Sequence, residues 1–80
     1  MNEYIATFHT HLSALMTSRE LTSRGVKAQM MPVPRKLSSS CGTCVRYLSE
    51  EPNLDAMDED VEAVYEKTGR EEYTLLMNAD

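Results

Sequence analysis

Leu54-Asp55-Ala56-Met57-Asp58-Glu59-Asp60-Val61-Glu62-Ala63-Val64-Tyr65 is the stretch on which the fold turns. Its apolar residues Leu54, Met57, Val61, Val64 and Tyr65 follow one another at offsets of three, four, three and one, which gathers them on one face of a helix. Glu50-Glu51-Pro52-Asn53 ahead of it is a breaker, Asn53 or Asp55 suits the cap, and Gly69 suits the end. The spacing predicts a helix that stops before Gly69.

On the carboxyl side of that helix, Glu71-Glu72-Tyr73-Thr74-Leu75-Leu76-Met77 reads as a strand and Asn78-Ala79-Asp80 as a frayed tail. On its amino side, Cys44-Val45-Arg46-Tyr47-Leu48 alternates with period two, as does Val26-Lys27-Ala28-Gln29-Met30, so both are strands. Met31-Pro32-Val33-Pro34 extends the second of these, and because proline cannot donate to a ladder it predicts an edge strand, or one that stops pairing near Pro32. Tyr4-Ile5-Ala6-Thr7-Phe8 is a first strand. Thr10 then caps a helix that carries Leu12, Ala14, Leu15, Ser18 and Leu21 to near Arg24, and Gly25 closes it.

The order β-α-β-β-α-β predicts the α+β class: a ferredoxin-like βαββαβ two-layer sandwich with an antiparallel sheet, one domain over residues 1–80. A chain of this length buries too little surface for two cores. The same order predicts that His9, Thr10 and His11 lie beside Cys41 at one edge of the sheet, with Lys67 and Arg70 on that side and the acidic turn at Glu50 on the other.

The formal net charge of -5, with only 8 Lys and Arg and those scattered, argues against nucleic acid as a partner. No stretch approaches the length of a membrane span, and Met1-Asn2-Glu3-Tyr4 lacks the build of a signal peptide, so the expected location is cytoplasmic. With 6 Met, 1 Phe and no Trp the core is modest, which leaves room for stabilisation by a homodimer. Two cysteines in such a chain point to thiol chemistry or metal rather than to a disulfide framework.

Both cysteines lie in Pro34-Arg35-Lys36-Leu37-Ser38-Ser39-Ser40-Cys41-Gly42-Thr43-Cys44. Cys41-Gly42-Thr43-Cys44 is a C-x-x-C, but a strand pattern follows it where a thioredoxin-like motif would open a helix. The first helix's N-terminus and an imidazolium at His9 or His11 would favour a thiolate, Arg35 and Lys36 add positive charge, and Ser38, Ser39, Ser40 and Gly42 offer hydroxyls and amides for an anion. Cys41 in the loop is the nucleophile candidate; Cys44 at the strand start is its resolving partner or a small sheet residue. Beside this stand three plainer readings: buried inert thiols, a serine-rich flexible loop, and histidines that merely begin a helix. Cys41, Cys44, His9 and His11 are the one set a zinc ion would find. No cofactor is implied.

Pro34-Arg35 followed by Ser39-Ser40-Cys41-Gly42, within Pro32 to Gly42 and behind Tyr4 to Phe8, a helix and Gly25, resembles the small bacterial family of selenium/sulfur carrier-like proteins. The resemblance runs to about Leu48 and implies a carrier role with Cys41 as the carrying residue. Cys44 lies outside the pattern. The expected function is thus a thiol carrier of sulfur or selenium between donor and acceptor proteins, with Arg35, Ser39, Ser40, Gly42, His9 and His11 around the anion. The alternatives are a non-catalytic interaction module that dimerises through an exposed sheet face and, third, a zinc-binding dimer.

Overall fold

In the computed structural model, which describes residues 1–79, the chain runs β1 (Asn2–Phe8), α1 (His11–Ser23), β2 (Lys27–Pro32), β3 (Thr43–Ser49), β4 (Val61–Gly69) and β5 (Glu72–Asn78). The strands form one sheet in the order β2-β3-β1-β4-β5, and every neighbouring pair is antiparallel. The α+β class holds, but the ferredoxin-like βαββαβ order does not: among the described residues the second helix is absent. Leu54–Ala56 forms only a 3-10 turn, and Val61 onward is strand.

The reason lies in what β4 packs against. It is flanked by β1 and β5 and is buried on both faces, so Ala63 and Val64 are buried side by side and the period-two alternation of a half-exposed strand disappears. A bulge adds to this. Thr7 pairs with Ala63 but Phe8 with Val61, which leaves Glu62 as an extra, unpaired residue on β4. The helical offsets of Val61, Val64 and Tyr65 are a by-product of a bulged central strand. β4 then turns directly into β5, with Gly69 opposite Glu72.

The first half of the chain matches expectation. β1 and β2 both run antiparallel to β3, which lies between them, and are therefore parallel to each other. Thr10 caps α1, its Oγ1 accepting from the Ser13 amide at 3.1 Å, and Gly25 takes φ +84° just past the helix end. β2 is an edge strand whose pairing ends at Pro32.

α1 covers one face of the sheet, where Tyr4, Ala6, Phe8, Val45, Tyr47 and Val64 pack beneath Ala14 and Leu21. The helix stripe differs from expectation at its start: Leu12 is 63% exposed, while Ser13 and Thr17 are buried. Both have work there. Ser13 Oγ donates to Asp58 Oδ2 at 2.7 Å and the Asp58 amide donates to Thr17 Oγ1 at 2.9 Å, so the helix grips the acidic connection between β3 and β4. The expected tail is partly ordered as well: Asn78 belongs to β5 and the Ala79 amide donates to the Glu62 carbonyl, while Asp80 lies outside the described residues. Among the described residues no helix is long and apolar enough to cross a membrane.

Candidate functional site

The connection from β2 to β3, residues 33–42, contains no helix or strand, yet it does not hang free. Pro34 to Leu37 forms a turn closed by the Leu37 amide donating to the Pro34 carbonyl. Lys36, Leu37 and Ser38 then share an open cleft with Tyr65, Tyr73 and Leu75, which the strand register puts on the sheet face that α1 leaves uncovered. Ile5, Thr7 and Cys44 on that face are all buried. The loop thus lies over part of the sheet face opposite α1.

It returns to the sheet through three anchored residues, Ser39, Ser40 and Gly42. Ser39 Oγ donates to the Phe8 carbonyl at 2.9 Å. Ser40 gives both its amide, at 3.2 Å, and its hydroxyl, at 2.6 Å, to Glu62 Oε2. Gly42 takes φ +75°, a conformation open to glycine at no steric cost, and its carbonyl accepts from the Val33 amide at 3.1 Å. Cys41 sits between these anchors.

Cys41 is partly exposed and packs against the rim of the helix-side core. Its thiol donates to the Thr43 carbonyl at 3.4 Å and lies 4.0 Å from Ser39 Oγ. Cys44 differs in every respect. It is buried, its thiol donates to the Pro32 carbonyl at 3.7 Å, and burial, helped by nearby Cys41, pushes its pKa up to about 11.

Of the other expected site residues, His9, Ser39, Ser40 and Gly42 come together around Cys41. His9 Nδ1 lies 3.4 Å from Ser40 Oγ and 3.3 Å from Glu62 Oε2. His11 is exposed at the start of α1, and Arg35 and Lys36 are exposed in the turn. The expectation that Lys67 and Arg70 share the cysteine edge is overturned. Because β4 is a strand antiparallel to β1, Lys67 pairs with Glu3 at the opposite end of the sheet, and Arg70 lies beyond it. The acidic turn at Glu50 is at that far end as expected, following the Asn2 and Ser49 pair. Among the described residues no three His, Cys, Asp or Glu side chains converge as a metal-binding set.

Glu62 was not foreseen, because a helical reading puts it on a solvated face. Its side chain is only 15% exposed. Burial by itself would raise its pKa, but the hydroxyls of Ser40 and Ser39, the Ser40 amide and the neighbouring His9 outweigh that and hold the carboxyl below the usual carboxylate range. The amide and hydroxyl that the sequence offers to an incoming anion at Ser40 are thus directed at a carboxylate of the same chain. The bulge is what aims it there.

A family model described as "Putative Se/S carrier protein-like" matches residues 3–68, a span that holds β1 through most of β4 and the whole cysteine loop. No curated protein and no solved structure matches the chain.

Proposed function

Since this chain belongs to the Se/S carrier protein-like family, we propose that it is a cytoplasmic thiol carrier in which Cys41 holds the transferred sulfur or selenium atom. The observation that carries this reading is the contrast between the two cysteines. Cys41 is accessible on a loop anchored on both sides, whereas Cys44 is sealed in the sheet with its proton held in place.

In the loading step the Cys41 thiolate attacks the outer sulfur of a donor persulfide. The donor S–S bond breaks as the new one forms, its electron pair leaves on the donor sulfur as a thiolate, and the outer sulfur carries its own proton onto Cys41, so no net oxidation occurs. Delivery to an acceptor thiolate is the same displacement in the other direction, and a perselenide donor would load selenium by the same exchange. Ser39, with its hydroxyl 4.0 Å from the thiol, stands beside the developing anion. His9 stands beside Ser40, His11 and Arg35 are the further polar groups assigned to this loop, and Gly42 sets the turn that presents the thiol. Cys44 is left as a strand residue, so a single thiol does the carrying.

Incubation with inorganic polysulfide or a low-molecular-weight persulfide, followed by intact-protein mass spectrometry, tests this. The wild type and Cys44→Ala are expected to gain the mass of one sulfur atom that a reductant removes, and Cys41→Ser to gain none. Loading that survives Cys41→Ser, or that is lost in Cys44→Ala, would sink the proposal.

One observation favours the second reading, a self-associating module. β5 is an edge strand, and Leu75 and Leu76 on it are 50% and 38% exposed. If two copies join there, sedimentation equilibrium should report a dimer that Leu75→Lys weakens and Cys41→Ser leaves intact. A wild-type chain that stays monomeric at high concentration removes this reading.

A further inference from the structure

We infer that Glu62 is a positioning residue for Cys41: through Ser40 it fixes the loop conformation in which the thiol is presented. The inference rests on the carrier reading and adds to it a residue that acts from a different strand. Three independent features lead to it. The bulge between Thr7 and Phe8 inserts Glu62 into β4 without a partner on β1, and such an insertion re-aims a side chain out of the normal alternation. The re-aimed carboxylate accepts from both the amide and the hydroxyl of Ser40, the residue immediately before Cys41. Its Oε2 also meets His9 Nδ1 at 3.3 Å, which ties the end of β1 to the same point.

The consequence follows from how the loop is held. On the amino side of Cys41 the tethers are the neutral Ser39 bond to the Phe8 carbonyl and the charge-assisted Ser40 pair, and hydrogen bonds to an ionised acceptor are roughly twice as strong as neutral ones. On the carboxyl side Gly42 is held through its carbonyl by the Val33 amide, and as a glycine at φ +75° it is the residue best able to act as a pivot there. Without Glu62 the segment from Ser38 to Gly42 would swing about Gly42, and the thiol would meet a donor sulfur in line only for a fraction of the time. The backbone of β4 is held elsewhere: the Glu62 carbonyl accepts from the Ala79 amide, so shortening the side chain leaves the hairpin bonded.

The test compares wild type with Glu62→Ala, Glu62→Gln and Ser40→Ala in three measurements. Amide exchange at Ser40, followed by NMR without any donor, is expected to speed up about tenfold or more in Glu62→Ala, matching the loss of charged hydrogen bonds. Sulfur loading of Cys41 from inorganic polysulfide should slow by a similar factor. Glu62→Gln, which keeps one acceptor oxygen, should recover part of the loading rate. Throughout, buried Cys44 should stay protected from iodoacetamide, which separates release of the loop from loss of the fold. Combining Glu62→Ala with Ser40→Ala should slow loading no further than Glu62→Ala alone. Unchanged Ser40 exchange, loading as fast as or faster than wild type in Glu62→Ala, or additive slowing in the double variant would each overturn the inference. If the wild type takes up no sulfur at all, the carrier reading falls, and Ser40 exchange with Cys41 alkylation still decides whether Glu62 holds the loop.

Discussion

Tyr47→Ala is expected to remove about 3–5 kcal/mol of stability, enough to unfold the chain if the wild type lies at the low end of its range. Tyr47 is completely buried on the helix side of β3. Its ring stacks on that of Tyr4 with centroids 5.2 Å apart and an interplanar angle of 29°, and its hydroxyl donates to the Pro52 carbonyl. One residue thus joins the central pair β1 and β3 and fixes the turn from which the 3-10 segment departs. Truncating a buried aromatic to alanine costs about 3–5 kcal/mol. At ~0.05–0.15 kcal/mol per residue, a chain of 80 residues has about 4–12 kcal/mol in total. The lower part of that range does not survive the loss. Tyr47→Phe separates the two contributions, because it keeps the stacked ring and gives up only the hydrogen bond to Pro52, at about 1 kcal/mol. Urea denaturation followed by circular dichroism reads both. A Tyr47→Ala protein that melts within about 1 kcal/mol of wild type would show that the core lies elsewhere.

What the sequence made legible, it made legible through local chemistry. Thr10 capped α1 and Gly25 ended it because their backbone and side-chain requirements are set within a few residues. β2 and β3 were readable because β2 is an edge strand and β3 keeps a period-two pattern against the helix. The placement of His9 beside the cysteine loop followed from β1, α1, β2 and β3 alone, and it survived the loss of the second helix because those four elements kept their order.

The stretch from Leu54 to Tyr65 was misleading for a tertiary reason. Val61, Ala63 and Val64 are all buried because β4 has neighbours on both sides and material over both faces, and no local signal announces that. One sign was available: Thr68-Gly69-Arg70-Glu71 is a short turn signal between the β-prone runs Val61 to Tyr65 and Tyr73 to Leu76, which suits a hairpin better than a helix end. Glu62 could not have been found without the strand, since its role depends on a bulge that exists only in the pairing of β4 with β1.

Raising the pH is expected to destabilise the protein well before the backbone itself is affected, and Cys44 sets where this begins. In the folded chain its thiol is pushed up to about 11 from an ordinary 9.0, first by burial and then by nearby Cys41. The neutral form is therefore the one the fold favours. Its contribution is complete below pH 9 and is lost as pH rises toward 11, since the unfolded chain releases the proton first. Two pKa units correspond to about 2–3 kcal/mol, a large share of the total for a chain this small. Tyr47 pushes in the same direction, because burial raises its phenol and the neighbouring Tyr4 raises it further. Its effect begins near the ordinary phenol value of about 10. Urea midpoints measured across this range should fall steeply for the wild type, less steeply for Cys44→Ala, and least for Cys44→Ala combined with Tyr47→Phe. A wild-type midpoint that is flat between pH 9 and 11 would contradict the burial of the Cys44 thiol. The same physics bears on the carrier chemistry: at neutral pH Cys44 keeps its proton and its bond to the Pro32 carbonyl, so it cannot readily attack a persulfide on Cys41. Iodoacetamide should accordingly modify Cys41 first and reach Cys44 only in the pH range where the fold begins to give way.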